Sequence, residues 1–242
     1  MRVPRIFHPG TLQCGTQVAL ASNAANHVGR VLRIKPGAPL ILFNGEGGEY
    51  RAKLTAVTRN NVTVEIEQFI DCDRESPLKI TLAQGVSRGE RMDFALQKAV
   101  ELGVDVIVPV VTERTTVQLK GERQEKKLSH WRGVITGACE QSGRSQLPQL
   151  ESITPIDRLF QKTIKGAALV LDPEAKHSLS TLEPQQQITL LIGPEGGLSD
   201  REIAAANSAG YQSITMGPRV LRTETAALAA VTALQTLWGD LG

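Results

Sequence analysis

The segment Leu191-Ile192-Gly193-Pro194-Glu195-Gly196-Gly197-Leu198-Ser199-Asp200 carries the strongest fold signal in this 242-residue chain. An apolar strand runs into a turn of glycines and a proline, and Ser199 then opens a helix through a capping box. A strand that passes through such a turn into a helix predicts an α/β fold built on a parallel sheet. Because glycine lets a ligand lie against the main chain, the segment also predicts a ligand site at the carboxyl edge of that sheet.

A second segment of the same kind follows: Met216-Gly217-Pro218-Arg219-Val220-Leu221-Arg222-Thr223-Glu224-Thr225. We call residues 193–197 the first turn and residues 216–221 the second turn. Thr223 is placed to cap the final helix. Two turns that lie one element apart can hold a flat ring between apolar side chains and backbone groups. Arg222, just before the helix, can bind a phosphate or an anionic base.

Neither turn matches a common nucleotide-binding pattern. The dinucleotide fingerprint Gly-x-Gly-x-x-Gly is absent from both, and neither contains the Gly-Lys-Ser/Thr of a phosphate loop. A dinucleotide-dependent enzyme is therefore disfavoured. The pattern indicates a nucleoside-like ligand without a dedicated phosphate grip, although the first turn alone is equally typical of a tight connection with no ligand.

The patterning predicts two domains, residues 1–72 and residues 73–242. In the first, residues 62–67 alternate between apolar and polar, as in a half-buried antiparallel strand, and a β-barrel is the natural closure for so few strands. The polar stretch 71–77 ends in proline and indicates a linker. Beyond it strands alternate with helices, one of which begins at a capping box that starts with Ser87.

The composition is that of a globular protein, with 41% hydrophobic residues, 21% charged residues and a net charge of +2. No apolar run approaches the roughly 20 residues of a membrane span, and no signal peptide is recognisable. Three scattered cysteines favour a reduced, cytoplasmic setting. The four histidines lack metal-ligand spacing, so no metal is expected.

Basic residues concentrate in two regions. The first 35 residues contain no acidic residue, which indicates a surface for an anionic partner. The second cluster, between Arg114 and Arg132, is interrupted by acids and is typical of solvated helix faces.

Both turns, together with four further motifs, closely resemble the ribosomal RNA small subunit methyltransferase E family of the knotted SPOUT methyltransferases. The resemblance runs in order along essentially the whole chain. The further motifs are Arg5-Ile6-Phe7-His8, Asn26-His27-Val28-Gly29-Arg30-Val31-Leu32-Arg33, Ser87-Arg88-Gly89-Glu90 leading to Lys98-Ala99-Val100-Glu101-Leu102-Gly103, and Ala138-Cys139-Glu140-Gln141-Ser142-Gly143-Arg144.

The resemblance implies an N-terminal PUA-like β-barrel and a C-terminal α/β domain whose last segments form a trefoil knot, with helices on both faces of a parallel sheet. It also implies a homodimer that uses S-adenosylmethionine to methylate N3 of one uridine, conventionally numbered 1498, in 16S rRNA of the 30S subunit. The cofactor would then contact both turns and a looser match at 171–172. The residues concerned are Leu171, Asp172, Ile192, Gly193, Glu195, Gly196, Gly197, Met216, Gly217 and Leu221.

The implied chemistry suggests roles for two kinds of side chain. Uracil N3 carries an imide proton and is a poor nucleophile until that proton leaves. A cation near the base carbonyls would stabilise the developing anion, and Arg222 is the candidate. A carboxylate must accept the proton, and Glu195 is the candidate at the first turn. The residues alone leave Glu224, Glu101 and Glu140 open as well, and a helix-end or ion-pair role is favoured for the last two.

The resemblance also suggests which basic residues contact RNA. The candidates are Arg5, His8, Arg30, Arg33, Arg88 and Arg144. Two rival functions stay open at this point. One is the same kind of knotted enzyme acting on another RNA or on a ribose 2′-hydroxyl, and the other is a non-catalytic RNA-binding module.

Overall fold

The computed structural model describes residues 3–58, 61–117 and 120–242. By contacts between Cα atoms the chain divides into two units. The first unit comprises Met1–Glu75 and Cys139–Leu147, and the second comprises Ser76–Ala138 and Pro148–Gly242. Each of the two predicted domains, 1–72 and 73–242, is one continuous segment. In the structure, residues 139–147 instead belong to the same unit as the N-terminal segment.

A five-stranded sheet forms the first unit, in the order β1-β3-β4-β5-β2. Its β1 runs parallel to β3, and the remaining neighbours are antiparallel. Two register shifts between β4 and β5 mark bulges, which bend a sheet. The strands are β1 (Arg5–Phe7), β2 (Gln17–Ala19), β3 (Pro39–Phe43), β4 (Glu49–Val57) and β5 (Val62–Ile70).

One apolar core lies inside this sheet. Ile6 of β1, Leu42 of β3 and Val64 of β5 are all buried in it. The short helix α1 (Ser22–Asn26) continues as a π-helical turn, His27–Val31, which adds the buried Val28. A single core shared by the strands of one bent sheet is the packing expected of a small barrel-like β domain.

The second unit contains a seven-stranded sheet in which the pairing of every neighbour is parallel. Its strand order is β12-β10-β11-β6-β7-β8, and β9 also pairs with β7. The α/β fold with a parallel sheet is thus confirmed. The strands are β6 (Lys79–Gly85), β7 (Val106–Val111), β8 (Gln149–Leu150), β9 (Thr154–Pro155), β10 (Ala167–Leu171), β11 (Gln187–Ile192) and β12 (Gln212–Ile214).

Helices cover both faces of this sheet. Ala83 of β6 and Leu191 of β11 share a core cluster with residues of the helices α4 (Ile156–Leu159) and α5 (Asp200–Ser208). The alternate strand residues Leu82 and Leu190, also buried, face the other side. There the last helix contacts β6, β11 and the first long helix. The helices are α2 (Glu90–Glu101), α3 (Glu122–Ser142), α4 (Ile156–Leu159), α5 (Asp200–Ser208) and α6 (Thr223–Trp238).

The helix starts only partly follow the sequence predictions. The Ser199 capping box is confirmed, since Ser199 and Glu202 exchange backbone and side-chain hydrogen bonds. The box predicted at Ser87 is wrong: its hydroxyl donates to the carbonyl of Gly85, and α2 begins at Glu90 without a side-chain cap. Thr223 is likewise the first residue of α6 and not its cap. No helix in the described ranges is long and apolar enough to cross a membrane.

Candidate functional site

Three neighbouring strands end at one edge of the parallel sheet, and the segments that follow them surround a single cavity of about 660 Å³. The first turn follows β11, the second turn follows β12, and residues 171–172 lie at the end of β10. All ten residues predicted to contact the cofactor line this cavity. They are Leu171, Asp172, Ile192, Gly193, Glu195, Gly196, Gly197, Met216, Gly217 and Leu221.

The first turn is tightly folded, and neither Gly193 within it nor Gly85 beside it has room for a side chain. A Cβ atom at Gly193 would lie 2.8 Å from the carbonyl carbon of Gly197. A Cβ at Gly85, the last residue of β6, would lie 2.3 Å from the nitrogen of Pro194. Gly193 therefore allows the first turn to fold back on itself, and Gly85 allows the backbone of β6 to approach the turn.

The second turn has free space around Gly217. Gly217 has a φ of +78°, and a Cβ placed there would meet no atom within 4 Å. Val220 lines the cavity although 85% of it is exposed. An exposed apolar side chain beside bare backbone is suited to contact a ligand that is part apolar and part polar.

The carboxylate of Glu195 ties the first turn to the loop before α2. Its Oε1 accepts a hydrogen bond from the backbone N–H of Arg88 at 2.8 Å and another from Nη1 of Arg91 at 3.4 Å. Partial burial raises the pKa of Glu195, but those hydrogen bonds, its own backbone N–H and the charge of Arg91 together hold the pKa below its usual value. The side chain is therefore ionised and already engaged.

Arg114 is a cavity residue that the sequence prediction missed. It follows β7, and its Nη1 donates to the carbonyls of Gly196 at 2.9 Å and Leu198 at 3.2 Å. Its assignment to a solvated helix face is therefore wrong. A signal was available, because the carboxyl end of a buried parallel strand lies at the same edge as the two turns.

Comparison with known proteins identifies the relatives of this chain. A family model described as "RNA methyltransferase domain" matches residues 74–235, and one described as "RNA methyltransferase PUA domain" matches residues 20–67. The ribosomal RNA small subunit methyltransferase E of Buchnera aphidicola from Schizaphis graminum is 35% identical, over 99% of this chain and 98% of the relative. The chain belongs to the ribosomal RNA small subunit methyltransferase E family.

Solved structures share the fold as well. A Legionella pneumophila methyltransferase, solved with bound S-adenosylmethionine, is 42% identical with a TM-score of 0.97, over 100% of both chains. The methyltransferase E of Neisseria gonorrhoeae, also solved with S-adenosylmethionine, is 40% identical with a TM-score of 0.93, again over 100% of both chains. The Mycobacterium tuberculosis methyltransferase E is 31% identical, over 97% of this chain and 92% of the relative.

In this member of the methyltransferase E family, the predicted catalytic arginine lies at the cavity's edge. Arg222 is exposed and is the N-cap residue of α6. Its neighbours Leu221 and Thr223 line the cavity, whereas Arg222 itself does not. Within the described residues its guanidinium has no hydrogen bond or ion pair, so its charge is available to a ligand.

The other possible proton acceptors have different surroundings. Glu101 pairs with Lys98 at 2.8 Å within α2. Glu140, in the first unit, accepts the backbone N–H of Phe7 at 2.9 Å, and burial raises its pKa. Glu224 is the second residue of helix α6, and its Oε2 is buried without a hydrogen-bond partner among the described residues.

Two of the arginines predicted to contact RNA are buried, which corrects that prediction. The Arg5 side chain is 7% exposed and pairs with Glu49, and the Arg144 side chain is 6% exposed and pairs with Glu75. Arg5 also donates to the carbonyl of Arg144 at 3.0 Å. Guanidiniums held in this way are parts of the first unit's interior and are not free to bind phosphate.

The remaining RNA candidates are accessible. Arg30 and Arg33 are exposed, and Arg33 has a φ of +50°, uncommon for a residue other than glycine. Arg88 is exposed, and its Nε donates to Oγ1 of Thr116 at 2.8 Å. His8 is half-buried, and burial lowers its pKa. The described residues contain no group of three or more His, Cys, Asp or Glu that could hold a metal ion.

Proposed function

We propose that this chain transfers a methyl group from S-adenosylmethionine to N3 of a uridine in 16S rRNA, at the position numbered 1498. The observation that carries the proposal is the meeting of both turns, with all ten predicted contact residues, around one cavity. Family membership and the two relatives solved with S-adenosylmethionine support it.

The size and the lining of the cavity are suited to a small ligand such as the methyl donor. Its volume of about 660 Å³ lies within the range of roughly 300–1,000 Å³ that is usual for small-molecule sites. Apolar side chains such as Ile192 and Leu221 lie beside the bare backbone of the glycine turns, and Asp172 adds a carboxylate. The cofactor, when bound there, supplies an electrophilic methyl group on a sulfonium sulfur.

Arg222 is the residue that we propose to act on the substrate base. Loss of the N3 proton spreads negative charge onto the two uracil carbonyl oxygens. A guanidinium stabilises such charge through its fixed positive charge and its planar set of N–H donors. Its exposure and the absence of a partner among the described residues leave it free for this contact.

We propose a different role for Glu195 from the one expected from the sequence. A carboxylate whose pKa lies below its usual value is a weak acceptor for an imide proton. Its hydrogen bond to the Arg88 backbone indicates that it positions the first turn. Glu224, next to Thr223 at the start of α6, then remains the acceptor candidate beside the second turn.

We further propose that the chain acts as a knotted homodimer in the cytoplasm and recognises rRNA within the 30S subunit. Arg30, Arg33, His8 and Arg88 are the proposed RNA contacts. The support is family membership, together with the exposure of the three arginines. Light scattering of the purified protein measures its oligomeric state directly.

One experiment separates this function from its rivals. The purified protein is incubated with methyl-labelled S-adenosylmethionine and 30S subunits, deproteinised rRNA or tRNA, and the products are analysed by nucleoside mass spectrometry. We expect N3-methyluridine from 16S rRNA. A methylated ribose, or product from tRNA alone, would favour a different knotted enzyme, and no cofactor binding would favour an RNA-binding module.

A further inference from the structure

Two consecutive hydrogen bonds in the second unit connect Gln84 to two residues at the wall of the cavity. Nε2 of Gln84, in β6, donates to Oγ1 of Thr223 at 2.8 Å, and Oγ1 of Thr223 donates to the carbonyl of Gly193 at 2.6 Å. Gln84 is fully buried and Thr223 is 6% exposed. The two bonds therefore join β6, the first turn and the start of α6, and the bond between Gln84 and Thr223 is buried.

The direction of both hydrogen bonds is determined by the surroundings. Nε2 of Gln84 also donates to the carbonyl of Gly85 at 3.2 Å. A reversed amide would place its oxygen against that carbonyl, so the NH2 group must face Thr223. Because the Thr223 oxygen accepts from Gln84, its own proton is directed to Gly193.

The buried amide is retained at a cost. Oε1 of Gln84 is buried and has no hydrogen-bond partner among the described residues. A buried polar atom without a partner is unfavourable, and an apolar side chain at this position would avoid that. The favourable contribution of this residue therefore comes from its N–H groups, which hold Gly85 and Thr223.

Thr223 is also the point at which the two cavity walls are joined. It follows the second turn by two residues, and its hydroxyl holds the carbonyl of the residue that opens the first turn. The hydroxyl is not used to cap α6, which has no side-chain cap. Small displacements of binding groups weaken a preorganised site strongly.

We propose that Gln84 and Thr223 are positioning residues that set the spacing between the first and second turns. The proposal deepens the methyl-transfer function and rests on it for its effect on cofactor binding. The link between the two turns is present in the ligand-free protein, and its effect on the local stability of both turns is measurable without any ligand.

The test compares Thr223→Val, which keeps the shape but removes the hydroxyl, with Thr223→Ser, which keeps the hydroxyl. Thr232→Val, at an exposed threonine of the same helix, is the matched control. We expect Thr223→Val to weaken S-adenosylmethionine binding by roughly 10- to 100-fold, as for loss of a buried hydrogen-bond partner. Thr223→Ser and Thr232→Val should bind within about threefold of wild type, less than the effect of one such bond.

Hydrogen exchange of the ligand-free proteins provides the second readout. Thr223→Val should speed amide exchange in both turns, 193–197 and 216–221, while Thr223→Ser leaves both unchanged. Gln84→Met retains the Thr223 hydroxyl and should produce the same pattern more weakly. This variant serves as the test if Thr223→Val does not fold.

The outcomes separate the two proposals. If wild type binds no S-adenosylmethionine, the proposed function fails and exchange alone decides the positioning role. Faster exchange in both turns supports that role. Unchanged exchange in Thr223→Val and Gln84→Met, or cofactor affinity that Thr223→Val leaves at the wild-type value, overturns it.

Discussion

The Glu195 carboxylate accepts a hydrogen bond from the backbone N–H of Arg88 at 2.8 Å, across 107 positions of sequence. The bond joins the first turn to the loop that leads into α2. It assigns a structural partner to the one acidic residue of the glycine turn.

Replacing Arg222 with alanine should abolish most methyl transfer and leave cofactor binding near normal. Removal of one group that stabilises developing charge costs about 10²- to 10³-fold in kcat. Calorimetry with S-adenosylmethionine and turnover on 30S subunits measure the two effects separately. Arg201→Ala, at an exposed arginine of α5, is the control, and unchanged turnover in Arg222→Ala would remove this residue from the mechanism.

Glu195→Gln should lower cofactor affinity more than it lowers kcat, because the carboxylate positions the first turn. The pKa of Glu195 is lower in the folded protein than in the unfolded chain. Its stabilising effect is therefore complete above the unfolded pKa and is lost as the pH falls through the folded pKa. The difference in unfolding free energy between wild type and Glu195→Gln should shrink in that acidic range.

Urea unfolding at a series of pH values measures that difference. A loss of kcat as large as that of Arg222→Ala, with cofactor affinity intact, would instead return Glu195 to the role of proton acceptor.

Arg114→Ala should weaken S-adenosylmethionine binding by about 10-fold, the effect of losing hydrogen bonds from a charged donor. The guanidinium holds two carbonyls of the first turn, at Gly196 and Leu198. Arg123→Ala removes the same charge from α3 and serves as the control. Equal affinities of the two variants for S-adenosylmethionine in calorimetry would show that the first turn does not depend on the hydrogen bonds from Arg114.

A double change of Arg30 and Arg33 to alanine should weaken binding to 30S subunits and reduce its salt dependence. Each lost phosphate contact lowers the slope of log K against log salt by about 1. Arg51→Ala with Lys53→Ala removes the same charge from β4, also at exposed positions. If both doubles behave alike across a salt series, RNA recognition does not depend on Arg30 and Arg33.

Arg144→Met should lower the free energy of unfolding without removing a contact to RNA. Removing one partner of a buried ion pair costs about 3–5 kcal/mol, and Glu75 would be left without its guanidinium. Urea unfolding measures the loss. Wild-type stability combined with weakened RNA binding would restore Arg144 to the RNA-contact residues.

Local patterns were sufficient for much of the fold and for the cavity lining. The strand–turn–helix order around Gly193 and Gly217 is readable from neighbouring residues, and parallel strands bring such turns to one edge. The Ser199 capping box is equally local, because its partner Glu202 lies three residues away.

The corrections concern side chains whose partners are distant in sequence. Thr223 has the local pattern of a helix cap, but its hydroxyl bonds to Gly193, 30 residues earlier. The buried Arg5 pairs with Glu49, 44 residues later, and the buried Arg144 pairs with Glu75, 69 residues earlier. Patterns within one segment predict exposure for such arginines, because the compensating carboxylate is visible only in the folded chain.

A crystal structure with S-adenosylhomocysteine tests the shared cavity most directly. We expect density for the ligand between residues 193–197 and residues 216–221, in contact with Leu171 and Leu221. Density at any other place on the chain would contradict the central claim, as would two turns that lie too far apart to touch one ligand.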